Sequence, residues 1–137
     1  MIDTLQDLQS LIQRAQQISC VALDTEFVWE QTYYPRLGIV QLGLSDTDCH
    51  LIDSRAIEDL SPLGDLMRNP AVTKILHDAQ QDLWILYRET GDLPQNIFDT
   101  RCAGGFANLG STLSLGNLIQ KCIGIRLSKT ETRTDWL

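Results

Sequence analysis

Three features are missing from this sequence, and each absence argues against a class of protein. No apolar run approaches the ~20 residues of a membrane-spanning helix. The segment Met1–Thr4 lacks the basic start and apolar core of a signal peptide. The four cysteines lie far apart and form no CxxC pair. We therefore expect buried, reduced thiols in a cytoplasmic protein rather than disulfides or a zinc site.

Basic residues are also scarce, with 11 lysines and arginines against 18 aspartates and glutamates and a net charge of -7. This balance argues against a protein that binds nucleic acid through a general basic surface. It leaves room for an enzyme in which metal ions neutralise acidic residues and bridge to phosphate. With 137 residues, the chain has the length of a single domain with one core.

The apolar pattern predicts an α/β fold. Spacings of three and four residues predict a helix over 4–17. Four later segments have the apolar character of strands: 20–27, 38–44, 49–53 and 72–77. Short turns would join the first three strands as an antiparallel meander, whereas a helix with Ser61 at its cap and Pro62 at its first helical position precedes the fourth. A strand reached through a helix enters a sheet in parallel, so we predict a mixed sheet with flanking helices.

The segment after the fourth strand predicts a helix with an acid at its edge. Asp78 and Gln81 have the spacing of a capping box. The apolar stripe of this helix is predicted to consist of Ala79, Leu83, Leu86 and Tyr87. Asp82 lies about 40° beyond Leu86 on the helix surface, so its carboxylate is expected to face the sheet round the edge of the core. Asp99 or Thr100 is expected to cap the helix that follows.

The first strand ends in two acids separated by one residue. Side chains alternate on a strand, so Ala22, Asp24 and Glu26 share one face and Val21, Leu23 and Thr25 share the other. Two carboxylates this close resist joint ionisation, and Mg²⁺ or Mn²⁺ would remove the conflict. Two acids at a solvent-exposed strand end are the alternative interpretation.

An aromatic segment follows these acids and includes Trp29, Tyr33 and Tyr34. Such side chains are able to stack on nucleic-acid bases. They are equally able to cover the edge of the core, and both interpretations stay open at this point.

Several ordered motifs resemble those of ribonuclease D, a family of DEDD-type 3′–5′ exonucleases. They are Asp24-Thr25-Glu26-Phe27, Tyr33-Tyr34-Pro35-Arg36-Leu37, the segment 75–83 with His77 and Asp82-Leu83, Phe98-Asp99-Thr100, and the segment 129–136. A single D-x-E pattern is weak evidence, but these blocks in this order extend over nearly the whole chain. The resemblance implies a ribonuclease H-like mixed sheet.

The same resemblance implies the chemistry and the residues that perform it. Asp24, Glu26 and Asp82 would be the catalytic carboxylates and would hold two divalent metal ions, Mg²⁺ or Mn²⁺. Asp82 is preferred to Asp78 because it stands directly before Leu83. The reaction would release nucleoside 5′-monophosphates from RNA 3′ ends, with tRNA precursors as the expected substrates and single-stranded DNA as a second substrate class. The oligomeric state is left open.

Further residues are candidates for binding the substrate. Phe27, Tyr33, Tyr34 and Leu83 would line a pocket for the 3′ end, and His77 belongs to the same motif region. Lys129 and Arg133 are candidate phosphate contacts, with solvated surface charge as the equally weighted alternative.

One family motif is absent, namely a tyrosine followed four residues later by an aspartate. No tyrosine occurs after Tyr87. We therefore expect residues 1–137 to be an exonuclease domain that is incomplete at its C-terminal end and weak or inactive alone. An inactive relative that binds RNA or a protein is the alternative. A phosphohydrolase with Asp24 as nucleophile is disfavoured. Such enzymes usually have the pattern D-x-D, whereas the second acid here is Glu26.

Overall fold

The computed structural model describes residues 1–29 and 33–127. Within these ranges lie α1 (Leu5–Ala15), β1 (Cys20–Val28), β2 (Arg36–Gly43), β3 (Cys49–Asp53), α2 (Ser61–Arg68), β4 (Thr73–Leu76), α3 (Gln80–Thr90), β5 (Ile97–Asp99), α4 (Thr100–Phe106) and α5 (Leu115–Ile123). None of the helices described in them is long and apolar enough to cross a membrane.

The strands form one mixed sheet in the order β3-β2-β1-β4-β5. β1, β2 and β3 pair antiparallel as a meander. β4 pairs parallel to β1, and β5 pairs parallel to β4. Helix α2 provides the crossover that joins β3 to β4. The predicted mixed α/β sheet with flanking helices is confirmed.

The hydrophobic core lies where helices α1, α2 and α3 pack together and onto the sheet. Thr4 begins α1 by accepting a 3.2 Å hydrogen bond from the Asp7 amide, and the helix buries one apolar stripe. The completely buried members of the core include Leu8, Val40, Leu42, Ile52, Leu66 and Leu86. This single core gives the sheet one sealed face.

Strand β1 alternates between the core and solvent as its sequence predicts. Val21, Leu23 and Thr25 are buried, whereas Ala22 and Asp24 are exposed and Glu26 is half-buried. The strand therefore has one face that packs and one that is available to a ligand.

Two predicted helix starts are wrong. Asp78 does not cap α3, since the residue adopts a left-handed φ of 60° and the cap position is Ala79. The Asp99 carboxylate instead accepts hydrogen bonds from the Asp78 and Ala79 amides. At α2 the cap position is Leu60 rather than Ser61, and the Asp59 carboxylate accepts from the Ser61 amide.

Five side chains predicted to be buried are exposed. Helix α3 turns Asp82, Ile85 and Leu86 inward, so Tyr87 lies at the surface and is 44% exposed. The four cysteines are also exposed as free thiols, namely Cys20, Cys49, Cys102 and Cys122. Cys20, for example, is exposed because its side chain lies on the solvent face of β1.

Candidate active site

The candidate site lies at the carboxyl ends of the parallel strands. β4 pairs with β1 only from Cys20 to Ala22. Beside Asp24 and Glu26, β2 occupies one edge of β1, and no described strand pairs with the other edge. The first turn of α3 occupies this position, because Asp82 contacts β1 there. Ligands of open α/β sheets commonly bind at this edge.

Asp24 and Glu26 project from the same face of β1, as predicted. Gln41 lies opposite Asp24 on β2, and its Nε2 donates a 3.4 Å hydrogen bond to Oε1 of Glu26. The strand register shifts between Glu26 and Phe27, and such a bulge bends a strand locally. Both acids are thus presented just before β1 changes direction.

Asp82 is brought to the same strand from helix α3. It is only 8% exposed, and its Oδ1 accepts a 2.5 Å hydrogen bond from the Thr25 hydroxyl. Thr25 stands between the other two acids in the chain. The hydrogen bond therefore fixes the third carboxylate beside the strand segment that carries the first two.

All three carboxyl groups have a raised pKa. Desolvation is the largest cause at Asp24, followed by the negative charge of Asp82. At Glu26 desolvation is followed by the charges of Asp24 and Asp82. At Asp82 desolvation outweighs the hydrogen bonds from Thr25, which lower the pKa. Although Asp24 as a residue is exposed, desolvation is still the largest cause of the raised pKa of its carboxyl group, and the acids form one cluster that resists joint ionisation.

This cluster has the donor chemistry of a site for a hard divalent cation. Carboxylate oxygens are the ligands that Mg²⁺ and Mn²⁺ prefer, and a cation would remove the mutual repulsion. Across residues 1–29 and 33–127, no three His, Cys, Asp or Glu side chains converge closely enough to enclose an ion. The described acids therefore fit a divalent ion as part of a ligand set rather than as a closed site.

His77 follows β4 and is anchored by the protein. Its Nδ1 lies 2.9 Å from the Thr100 hydroxyl, and its Nε2 lies 3.0 Å from the Leu113 carbonyl oxygen. His77 also lowers the pKa of Asp24 through its charge, although desolvation outweighs this effect. Both residues border a cavity of about 390 Å³ on the open face of the sheet. His77 stays a predicted substrate contact, and it would have to exchange a protein partner for that role.

Two of the predicted apolar contacts directly follow acids in the sequence, Phe27 after Glu26 and Leu83 after Asp82. Phe27 is half-buried, and Leu83 packs against the core. Tyr33 and Tyr34 meet edge to face at 4.7 Å between ring centroids. Tyr33 is 87% exposed. Lys129 and Arg133 fall outside the described residues, so their predicted phosphate contacts stay predictions.

Sequence reasoning missed the role of Thr25. The alternation of β1 placed it on the core face, and a hydroxyl there needs a partner. That requirement was a usable signal, although the sequence does not identify Asp82 as the partner. Asp99 was expected to cap one helix, but it also binds the amides that precede α3.

Comparison with known proteins identifies close relatives. A profile of the 3′–5′ exonuclease family matches residues 1–137. Ribonuclease D of Desulfotalea psychrophila is 53% identical over 136 residues, which make up 99% of this chain and 36% of that protein. Ribonuclease D of Escherichia coli is 39% identical over 137 residues, with 100% of this chain and 36% of that protein covered.

The fold agrees with these sequence matches. The crystal structure of E. coli RNase D, described as an exoribonuclease involved in structured RNA processing, superposes with a TM-score of 0.91 at 38% identity. The match covers 99% of this chain and 36% of that structure. The present chain thus spans about a third of the length of these relatives.

Proposed function

The chain belongs to the 3′–5′ exonuclease family and matches ribonuclease D along its whole length, and from that premise we propose that it hydrolyses RNA from the 3′ end. Each step would cut the last phosphodiester bond and release a nucleoside 5′-monophosphate. One observation carries the proposal. Asp24 and Glu26 share the open face of β1, and the Thr25 hydroxyl holds Asp82 against the same strand.

Asp24, Glu26 and Asp82 are proposed as ligands for two divalent ions, Mg²⁺ or Mn²⁺. The raised pKa values support this role, because a bound cation offsets both their largest cause, which is desolvation, and the repulsion between the acids. The chemistry that such ions supply is activation of water and neutralisation of charge on the scissile phosphate. The acids of this chain would position the ions beside the scissile phosphate. Gln41 restrains Glu26, and Thr25 restrains Asp82.

The substrate contacts follow the same geometry. Phe27, Tyr34 and Leu83 are proposed to border the terminal nucleotide, with Tyr33 exposed at the rim. His77 is proposed to support the wall nearest Asp24. Outside the described residues, Lys129 and Arg133 are proposed phosphate contacts.

We also propose that residues 1–137 form the N-terminal part of an exonuclease domain. The tyrosine–aspartate motif of the family is absent from these residues, and a fourth carboxylate would complete the ligand set. RNA 3′ ends of tRNA precursors in the cytoplasm are the proposed substrates, and single-stranded DNA is the second substrate class to test.

A hydrolysis assay tests the proposal. The chain is incubated with a 5′-labelled single-stranded RNA and Mn²⁺, and products are resolved by length and by chromatography of mononucleotides. We expect slow shortening from the 3′ end with release of 5′-monophosphates. Asp24→Asn should abolish it, whereas Asp46→Asn, on the exposed turn after β2, should leave it unchanged. Internal cleavage, or equal activity in the Asp24→Asn variant, would contradict the proposal.

A second candidate is an inactive relative that binds RNA without cutting it. It is favoured by the incomplete convergence of ligands among the described residues. Assays of hydrolysis and RNA binding on a longer protein, which contains this chain together with the tyrosine–aspartate motif, distinguish the two functions. Absence of hydrolysis in that longer protein, with RNA binding retained, would support the binding function.

A further inference from the structure

A second recess lies beside the acid cluster and has a different character. This tryptophan cleft is a cavity of about 410 Å³ lined by Phe27, Trp29, Pro35, Gln80, Gln81 and Trp84. Trp29 is 50% exposed and Trp84 is 43% exposed. Two large aromatic side chains therefore keep much of their surface in solvent within one recess, where a planar ligand is able to contact both.

Two residues that line the cleft are sequence neighbours of the proposed catalytic acids. Phe27 directly follows Glu26, and Gln81 directly precedes Asp82. Gln80 and Trp84 are four residues apart on α3 and so are neighbours on its surface, and Gln81 lines the same recess. A nucleotide strand whose end reached the acids would pass this recess within the length of a few nucleotides.

The rings are arranged as a set of platforms. Phe27 and Trp29 have centroids 6.4 Å apart, and Tyr34 and Trp84 have centroids 6.1 Å apart with an interplanar angle of 33°. Every base has a flat π-face that stacks on such rings. The Gln80 and Gln81 side chains lie at the same recess, and amides donate and accept hydrogen bonds as base edges do.

A positive charge stands next to these platforms. The Arg88 guanidinium lies 4.4 Å above the Tyr34 ring and donates a 3.2 Å hydrogen bond to the Pro35 carbonyl oxygen. Of the carboxylates in the described part of the chain, none forms an ion pair with Arg88. In a chain with a net charge of -7, this fixed cation beside exposed rings complements a phosphate backbone with stacked bases.

We propose that the tryptophan cleft binds a base of single-stranded RNA upstream of the cleaved nucleotide, by stacking on Trp29 and Trp84. This inference rests on the proposed function, because it assigns the cleft to the same substrate. Its role is to hold the strand while the 3′ end occupies the acid cluster. It binds bases of any identity, since stacking depends little on sequence.

The test measures binding without cleavage. An eight-nucleotide oligo(A) RNA and an abasic strand of equal length are titrated in EDTA, with fluorescence anisotropy and intrinsic tryptophan emission as readouts. Oligo(A) should quench the emission and bind more tightly than the abasic strand. Trp84→Leu and Trp29→Leu should each weaken oligo(A) binding by about five- to a hundredfold, and Trp84→Phe, which keeps a ring, should restore most of it.

Phe106→Leu provides the matched control, because Phe106 is a 95% exposed aromatic residue on α4. It should bind oligo(A) like the parent. Asp24→Asn should keep the quenching even though it removes hydrolysis, so failure of the catalytic proposal and failure of this one are distinguishable. Equal affinity of the parent and both tryptophan-to-leucine variants for oligo(A) would overturn the inference. Quenching by a proline-rich peptide but not by RNA would overturn it as well.

Discussion

The Thr25 hydroxyl donates a 2.5 Å hydrogen bond to Oδ1 of Asp82, which joins the middle residue of the D-x-E strand to the third acid. The two residues are 57 positions apart in the chain, and both are buried. The bond is therefore a tertiary contact at the edge of the core, and it fixes the position of the Asp82 carboxylate relative to β1.

Removing this hydroxyl should destabilise the fold. Thr25→Val keeps the shape of the side chain but leaves the buried Asp82 carboxylate without its donor, which typically costs about 1–3 kcal/mol. The loss should also raise the pKa of Asp82, because Thr25 lowers it. Urea unfolding of Thr25→Val and Thr25→Ser measures the effect. Equal destabilisation by both substitutions would show that the hydroxyl is not the cause.

The acid cluster should make the metal-free protein less stable as pH rises. The pKa of Asp24 is above its ordinary value of 3.8 in the folded state, so the unfolded chain releases that proton first. The free energy of unfolding should then fall as pH increases above about 4. Asp24→Asn should reduce this fall, as measured by thermal unfolding in EDTA between pH 4 and 7. An unchanged pH profile would mean that Asp24 is not part of the coupled cluster.

Divalent cations should reverse that destabilisation. A ligand that binds only the folded state at a hundred times its Kd adds about 2.7 kcal/mol. Mn²⁺ should therefore raise the Tm of the parent chain, and EDTA should return it to the starting value. Asp24→Asn should respond much less than Asp46→Asn. A Tm that ignores Mn²⁺ in the parent would contradict the metal proposal without bearing on the tryptophan cleft.

The half-buried Asp99 should contribute strongly to the stability of the fold. Its carboxylate accepts hydrogen bonds from the amides of Asp78, Ala79, Arg101 and Cys102. Burial alone would raise its pKa, but these amides together lower it. The stability it provides is present above its ordinary pKa and is lost as pH falls through the lowered value.

Asp99→Ala should cost about 1–3 kcal/mol at pH 7, since one side chain serves two helix starts. Denaturation at pH 7 and pH 3 checks this, with a smaller difference expected at pH 3. Asp3→Ala, at an exposed position near the N-terminus, is the control. A similar loss at both pH values would contradict an ionised cap.

Lys74 should make stability rise in alkaline solution. The residue is fully buried on β4, and its Nζ donates to the carbonyl oxygens of Asn69 and Val72. Desolvation lowers its pKa from 10.5 to about 8. Between these values the unfolded chain binds more protons, so the free energy of unfolding increases with pH.

Lys74→Met should remove that increase and stabilise the chain at pH 7 by at most about 3 kcal/mol. The figure is an upper bound, because Lys74→Met also removes the donor to the Asn69 and Val72 carbonyl oxygens. Unfolding measured from pH 7 to 10.5 tests the prediction. A parent protein whose stability stays flat over this range would contradict it.

The sequence predicted those parts of the fold that depend on local periodicity. The alternation of β1 followed directly from Val21 to Glu26, and the mixed sheet followed from the helix between β3 and β4. The predicted start of α3 was wrong because Asp99, which lies about 20 residues away in sequence, binds the amides of Asp78 and Ala79 just before the helix. No local pattern at Asp78 distinguishes a self-capped helix from one capped by a remote carboxylate.

The candidate site divides in the same way. Asp24 and Glu26 could be identified as a pair because their spacing alone places them on one face. The contact that holds Asp82 is long-range, so the sequence indicated the acid but not its anchor. Tyr87 was misplaced because a buried Asp82 takes a share of the inward face of α3 that periodicity assigns to apolar residues.

The alternation of β1 also bears on how this strand tolerates mutation. Asp24 and Glu26 face outward because each is offset by an odd number of positions from the buried Val21, Leu23 and Thr25. Deleting Leu23, the one residue between Ala22 and Asp24, would move both acids to the core face and Thr25 to the solvent face. Such a deletion should lower the free energy of unfolding far more than replacing any one of these side chains. Among homologous genes, β1 should therefore keep its length, without insertions or deletions, even where residues other than the two acids and Thr25 differ.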